Sequence, residues 1–258
     1  MADLKDILEE FASGRLSVDQ ARKKISLHAI EGIEEMAKLD IGREHRRGLP
    51  EVVFCQYKEF GDIIRIAERA VDKNEKVVLT RIRKNELAKT SKALRKKGLV
   101  VESGKNCTTV IASSRDFKPD LSGAKIGVLA AGTSDIGVAE EARLMAKAMS
   151  CDSLTSYDVG IAGMHRVFPA LRRMFSEDVG ALVVVAGMEG ALASVVASMS
   201  EVPVIGVPTS VGYGFGADGV AALASMLQSC TLGLATVNID NGVGAGAFAA
   251  SIAKRSRR

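Results

Sequence analysis

A chain of 258 residues, 47% apolar and 26% charged, has the composition of a globular protein and the length for two domains, each with its own core. No apolar run reaches the roughly 18–20 residues that span a bilayer. The start Met-Ala-Asp-Leu-Lys-Asp lacks the basic flank and apolar stretch of a secretory signal, so a cytoplasmic protein is expected. The net charge of +4 is modest, and Cys55, Cys107, Cys151 and Cys230 stand far apart without zinc-type pairs; reduced thiols are expected and no metal ligands are assigned.

In chain order, Leu4, Ile7, Leu8 and Phe11 recur at helical spacing up to Gly14, and Ser17-Val18-Asp19-Gln20 has the capping-box pattern that opens a second helix. A third helical segment is expected over residues 30–39, with Ile33, Met36 and Ala37 on one face. Arg43, Arg46 and Arg47 then crowd a turn, where they either hold an acidic ligand or only solvate the loop. Residues 52–111 read as small α/β units: strands at 52–54, 76–80, 99–102 and 108–111, and helices at 60–73 and 85–97. Arg81, Arg83, Lys84, Lys89, Lys92, Arg95, Lys96 and Lys97 are opposed only by Glu86. With no aromatic residue interleaved for stacking, this stretch reads as a solvated helix face and not as a nucleic-acid surface. Residues 113–123 are polar and aperiodic, which sets domains at 1–117 and 120–258.

From residue 125 the chain alternates regularly. Strands are expected at 125–130, 153–159, 181–186, 203–207 and 235–239, and helices at 136–149, 167–175, 190–199, 219–229 and 245–253. On that helix after the first strand, Ala139, Ala142, Leu144, Met145 and Ala148 form the apolar face, leaving Glu140, Glu141, Arg143 and Lys147 to water. The alternation argues for a mainly parallel sheet with helices on both faces, in which ligands sit beyond the carboxyl ends of the strands. Those ends carry Gly132-Thr133-Ser134-Asp135, Gly163-Met164-His165-Arg166, Gly187-Met188-Glu189-Gly190, the segment Pro208 to Gly214 with Ser210, Gly212 and Tyr213, and Asn238-Ile239-Asp240-Asn241-Gly242. Gly132 to Asp135 lies between a buried strand and a helix start, where free N–H groups, hydroxyls and the macrodipole suit an anion. Helix capping by Ser134 or Asp135 is the equal alternative.

Gly132-Thr133-Ser134-Asp135, His165-Arg166 and Pro203-Val204-Ile205-Gly206-Val207-Pro208 resemble motifs of the aminoimidazole ribonucleotide (AIR) carboxylases over residues 124–253. That resemblance implies a three-layer αβα, flavodoxin/Rossmann-type domain preceded by a smaller amino-terminal α/β domain. Over nearly the whole length the chain resembles the LarB family, through Glu51 to Phe54, Gly132 to Ile136, Asp158 to Arg166, Ala186 to Ala191, Pro208 to Gly214, Ser229-Cys230 and Val237 to Gly242. It departs from that family at Gly137 and at Cys55-Gln56-Tyr57-Lys58.

The resemblance implies carboxylation of the pyridinium ring of nicotinate adenine dinucleotide with bicarbonate or carbon dioxide, and cleavage of its phosphoanhydride. This is the first step of nickel-pincer cofactor synthesis. It implies Cys230 as ring nucleophile, with His165, Glu189 and Asp135 as candidate bases, and a homo-oligomer, an octamer. Thr133, Ser134 and Arg166 are the expected phosphate contacts; Gly132, Gly187, Gly190, Ser210, Gly212, Tyr213, Asn238, Asp240 and Asn241 complete the expected substrate site. Magnesium on the substrate pyrophosphate suits the cleavage step. By residue type alone, Cys230 reads as a packed apolar thiol, His165 as a partner of Asp158, and Glu189 as a helix start. The alternatives are a purine-pathway AIR carboxylase or mutase, and a non-enzymatic nucleotide- or nucleic-acid-binding module.

Overall fold

A computed structural model describes residues 4–25, 30–33, 37–40, 42–121 and 123–256. The chain forms two compact units: Met1–Val101 with Ile111–Phe117, and Glu102–Val110 with Lys118–Arg258.

In the first unit, α1 (Leu4–Ala12) ends where Gly14 turns left-handed at φ +75°. Helix α2 (Val18–Ile25) opens on a closed capping box: the Ser17 N–H donates to Gln20 Oε1 at 2.8 Å and the Gln20 N–H to Ser17 Oγ at 3.2 Å. The helix expected at 30–39 is replaced by a hairpin, β1 (Ile30–Ile33) paired antiparallel with β2 (Ala37–Asp40). Ile30, Gly32 and Ile33 favour that outcome, because β-branched residues suit a pleat and glycine weakens a helix; Met36 lies outside the described residues. Two arginines of α3 (Arg43–Arg47), Arg43 and Arg46, turn back on carboxylates of their own unit. Arg46 pairs with Asp40, and Arg43 stands 3.6 Å from Asp40 and 3.7 Å from Glu51. The Arg46 guanidinium holds the Asp40 carboxyl below its usual range. A four-stranded sheet follows, formed by β3 (Val52–Phe54), β4 (Lys76–Thr80), β5 (Val100–Ser103) and β6 (Val110–Ser113) in the order β3-β4-β6-β5, of which Glu102, Ser103 and Val110 fall in the second unit. Helices α4 (Phe60–Asn74) and α5 (Leu87–Lys96) accompany it, and β4 is buried along its whole length.

The second unit is a five-stranded parallel sheet with helices between successive strands. Its elements are β7 (Lys125–Ala130), α6 (Ile136–Ala148), β8 (Asp152–Ser156), α7 (Val167–Ser176), β9 (Leu182–Ala186), α8 (Ala191–Met199), β10 (Val204–Pro208), α9 (Val220–Leu227), β11 (Leu234–Thr236) and α10 (Gly242–Ser256). The strand order is β11-β10-β9-β7-β8, all parallel. Strands β8 and β11 stop earlier than their apolar patterns suggest, and Asp158 and Asp240 turn left-handed just beyond them. One core joins the sheet to α7, α8 and Met226 of α9, while α6 and α10 pack together on it. Their contact depends on glycine: a Cβ on Gly242 would meet the Val138 carbonyl oxygen at 2.1 Å, and one on Gly246 the Ala142 oxygen at 2.4 Å.

The outer side of α6 is not open to water, contrary to its polar pattern. Glu140 and Glu141 are each only 6% exposed, because residues 102–110 belong to this unit. The Lys105 N–H and Thr109 Oγ1 donate to Glu140 and Glu141 respectively, at 3.3 and 3.0 Å. Tyr157 donates its hydroxyl to Glu140, and Arg143 reaches Glu140 at 2.9 Å and Glu102 at 3.4 Å. Burial works to raise the Glu140 carboxyl, but the bonds from Arg143 and Tyr157 prevail and hold it below its usual range. Cys107 sits in the same covered segment, its thiol pushed up to about 12 by burial.

Candidate active site

In this strand order the chain reverses direction between β7 and β9, so their carboxyl ends flank a crevice suited to a ligand. After β7, the Gly132 N–H turns back to donate to Asp135 Oδ2 at 2.8 Å. The other carboxylate oxygen, Oδ1, accepts from the Thr209 hydroxyl at 2.7 Å. Asp135 is 3% exposed and Thr209 is fully buried. The pair therefore fastens the loop after β7 to the loop after β10. Burial pushes the Asp135 carboxyl up, against the Thr209 and Gly132 hydrogen bonds that favour its charge. Thr133 and Ser134 stand exposed on the same turn, at the start of α6.

The exit loop of β9 is locked to that of β10. The Met188 N–H donates to the Val211 carbonyl at 2.8 Å, and a Cβ on Gly187 would meet that same oxygen at 2.2 Å. Met188 and Gly190 are both left-handed, at φ +53° and +69°, which presents exposed Glu189 between them just ahead of α8. Asp240 accepts from the Ser210 N–H at 2.8 Å while its own N–H donates to the Pro208 carbonyl. Asn241 instead accepts from the Gly244 N–H at 2.9 Å and caps α10, and Asn238 accepts from the N–H of Ile239. Gly212 and Tyr213 lie exposed on the loop after β10.

The segment after β8 approaches the same edge, since the Val159 N–H donates to the Ala130 carbonyl and a Cβ on Gly160 would press on the Ala131 oxygen at 2.9 Å. His165 is exposed on the turn before α7. Its neighbour Arg166, expected on phosphate, is ion-paired with Asp158, the partner that the sequence offered to His165.

Cys230 is exposed but stands elsewhere. It follows α9 and precedes β11, and the neighbouring Gly233 carbonyl accepts from the N–H of Val204, the first residue of β10. That is the amino edge of the sheet. Thr209 lies just past the other end of the five-residue β10, roughly 15–17 Å away along the strand. Within one chain the thiol and the cradle are not brought together. Conversely, Thr209 escaped notice in the sequence as an individual residue. A hydroxyl directly after an apolar strand, opposite an acidic residue in another strand-end loop, was the available signal.

Doubly wound topology with loops rich in glycine and hydroxyls at the switch point defines the class of α/β proteins that hold ligands beyond the carboxyl ends of their strands. The AIR carboxylase family profile matches residues 125–258, and a LarB/PurE-like N-terminal domain matches residues 30–111. The chain belongs to the AIR carboxylase family, carries this additional amino-terminal domain, and is an enzyme of carboxylase/mutase type. An uncharacterized protein of Methanocaldococcus jannaschii is 48% identical over 98% of this chain and 97% of its own length. An N5-carboxyaminoimidazole ribonucleotide mutase of Thermotoga maritima is 33% identical over 50% of this chain and 74% of that protein. A phosphoribosylaminoimidazole carboxylase of Candida glabrata is 32% identical over 59% of this chain, but the match spans only 26% of that protein.

Proposed function

We propose that this enzyme carboxylates the pyridinium ring of nicotinate adenine dinucleotide and hydrolyses its phosphoanhydride, giving pyridinium-3,5-biscarboxylate mononucleotide and AMP. The observation that carries this reading is the pairing of an AIR carboxylase core with a LarB/PurE-like N-terminal domain in one chain. The cradle supports it: Thr133, Ser134 and the amino end of α6 offer a seat for a phosphate, and Asp135 with Thr209 fixes that seat.

A pyridinium carbon is electron-poor and does not attack carbon dioxide. A thiolate that adds to the ring makes the adjacent carbon enamine-like, and that carbon forms the new C–C bond. A base, His165 or Glu189, then takes the ring proton; the C–S bond breaks and aromaticity returns. Cys230 serves as the thiol only if a second copy of the chain brings its sheet's amino edge to this cradle. We therefore propose a homo-oligomer, an octamer, with sites shared between copies. Exposed Tyr213, Phe215, Val220, Leu227, Leu232 and Phe248 support such packing. Among the described residues no three His, Cys, Asp or Glu side chains gather to hold a metal; magnesium enters this reading only as an ion carried by the pyrophosphate. Among those residues no helix is long and apolar enough to cross a membrane, and we place the enzyme in the cytoplasm.

Incubation with nicotinate adenine dinucleotide, bicarbonate and magnesium, followed by mass analysis of the small molecules, tests the reading. Biscarboxylated mononucleotide and AMP are expected. Because the mutase match covers half of the chain, N5-carboxyaminoimidazole ribonucleotide forms the second arm; turnover of it alone makes the enzyme a purine-pathway mutase.

A further inference from the structure

We infer that the first unit carries a nucleotide-binding surface of its own, for a purine nucleoside monophosphate, at the carboxyl end of its parallel β3–β4 pair. The carboxylation chemistry uses none of these residues.

Strands β3 and β4 run parallel, with Phe54 opposite Thr80, and the Cys55 N–H donates to the Thr80 carbonyl at 2.9 Å. Their exit loops are tied together: the Arg83 guanidinium donates to the Lys58 carbonyl at 3.3 Å. A tight turn, in which the Lys58 N–H donates to the Cys55 carbonyl at 3.0 Å, lifts Tyr57 out of the fold until it is 84% exposed. Its ring centroid stands 6.0 Å from that of Phe54, which is also exposed, with the planes tilted by 46°.

Two solvent-facing rings lie on an edge where Lys58, Arg81, Arg83 and Lys84 outnumber Glu59, Asp62 and Glu86, the Arg83 guanidinium also pairing with Glu86 at 2.7 Å. Lys89 adds to the cations of that edge, its ammonium lying 4.1 Å from the centroid of Phe60 at the start of α4. The same edge receives the amino end of this 15-residue helix, whose first-turn N–H groups donate no hydrogen bond to the Glu59 side chain. The sequence hid the arrangement, because the aromatics precede α4 and the cations follow β4. Only the parallel pairing of the strands sets them side by side.

A flat base stacks on an aromatic ring whatever its edge pattern, while its phosphate seeks the cations and the helix end. Tyr57 offers the more exposed face, and Phe54 is tilted from it by 46°, which leaves room for one base and not for a stacked run. This favours a single nucleotide over a nucleic-acid strand, and the larger purine face over a pyrimidine.

The test uses the full chain. Photolabelling with 8-azido-AMP and peptide mapping locate the bound base, and calorimetric titration with AMP reads affinity. Label is expected on peptides covering residues 54–60 and 81–89, displaced by unlabelled AMP, with Tyr57→Ala weakening AMP at this location roughly tenfold. An unchanged thermal melt shows that the Tyr57→Ala chain is folded, and Phe54→Ala serves as a second variant. Label confined to residues 124–258, or no label at all, overturns the inference. So does AMP binding that both variants leave intact. An oligoadenylate that binds increasingly tightly with length, while AMP fails to displace it, replaces the nucleotide with nucleic acid. Label at the strand ends of the second unit reports on the carboxylase cradle, so the two readings stand or fall separately.

Discussion

Replacing Thr209 by valine removes one hydrogen bond and almost no volume, in a place where water cannot substitute. Thr209 is fully buried and donates to Asp135 Oδ1 at 2.7 Å. After the change the buried carboxyl loses the Thr209 donor and retains only the backbone N–H groups of Gly132 and Gly187. Hydrogen bonds to charged groups contribute about 1.5–3 kcal/mol, with the larger losses where a buried acceptor is stranded. The expected loss at pH 7 is therefore about 2 kcal/mol, seen in urea unfolding of the second unit as a lower midpoint at unchanged slope.

The pH dependence follows from Asp135. Its carboxyl is raised above the usual 3.8 by burial, so the ionised form weakens folding, and that weakening grows as pH rises through the folded value. Thr209→Val removes a bond that favours the charged form and raises this carboxyl further. Between pH 7 and the acid end of the Asp135 titration the valine penalty should consequently shrink, while Thr209→Ser should recover most of the stability at both pH values. A loss below about 0.5 kcal/mol at pH 7, or an equal loss at both pH values, would refute the proposed strut.

Cys230→Ser should abolish carboxylation and leave melting and dinucleotide binding near wild type, because the side chain is exposed; full activity removes the thiol mechanism. Mixing Cys230→Ser chains with Asp135→Asn chains should restore part of the activity if sites are shared between copies, whereas inactive hybrids exclude sharing. Glu140→Gln should cost about 2–4 kcal/mol at neutral pH, since Arg143 and Tyr157 lose their charged partner. The Glu140 carboxyl is depressed, so its contribution is present above pH 4.5 and lost as pH falls through the folded value; unfolding curves of the variant should be flatter across that acid range. Gly187→Ala places a Cβ 2.2 Å from the Val211 oxygen, and phosphate-ligand affinity should fall at least tenfold as the loops after β9 and β10 separate.

The alternation from residue 125 onward was legible because β7, β9 and β10 are short apolar runs and α6 and α7 carry an apolar face at helical spacing. Those signals located the strand-end loops, and with them Gly132 to Asp135. The pattern did not reveal what covers a helix. Glu140 and Glu141 read as wet, because the segment that buries them comes from more than thirty residues upstream. The hairpin at 30–40 was missed because Ile33, Met36 and Ala37 also fit a helical stripe, and pairing with β2 overrode it. For Cys230 the information lay in the chain order: the connection from a helix into a parallel strand, here from α9 into β11, belongs at the amino edge of the sheet.

The two glutamates of α6 also bear on how this protein can be cut. Residues 102–110 lie within the amino-terminal stretch of the chain, yet their Lys105 N–H and Thr109 hydroxyl serve Glu140 and Glu141. A recombinant fragment starting at Lys118 would retain every strand of the five-stranded sheet and still leave both carboxylates without those donors. The carboxyl-terminal half is thus not a detachable cassette: excision or transplantation has to carry along a strip of its predecessor, or redesign one helix face to live in water.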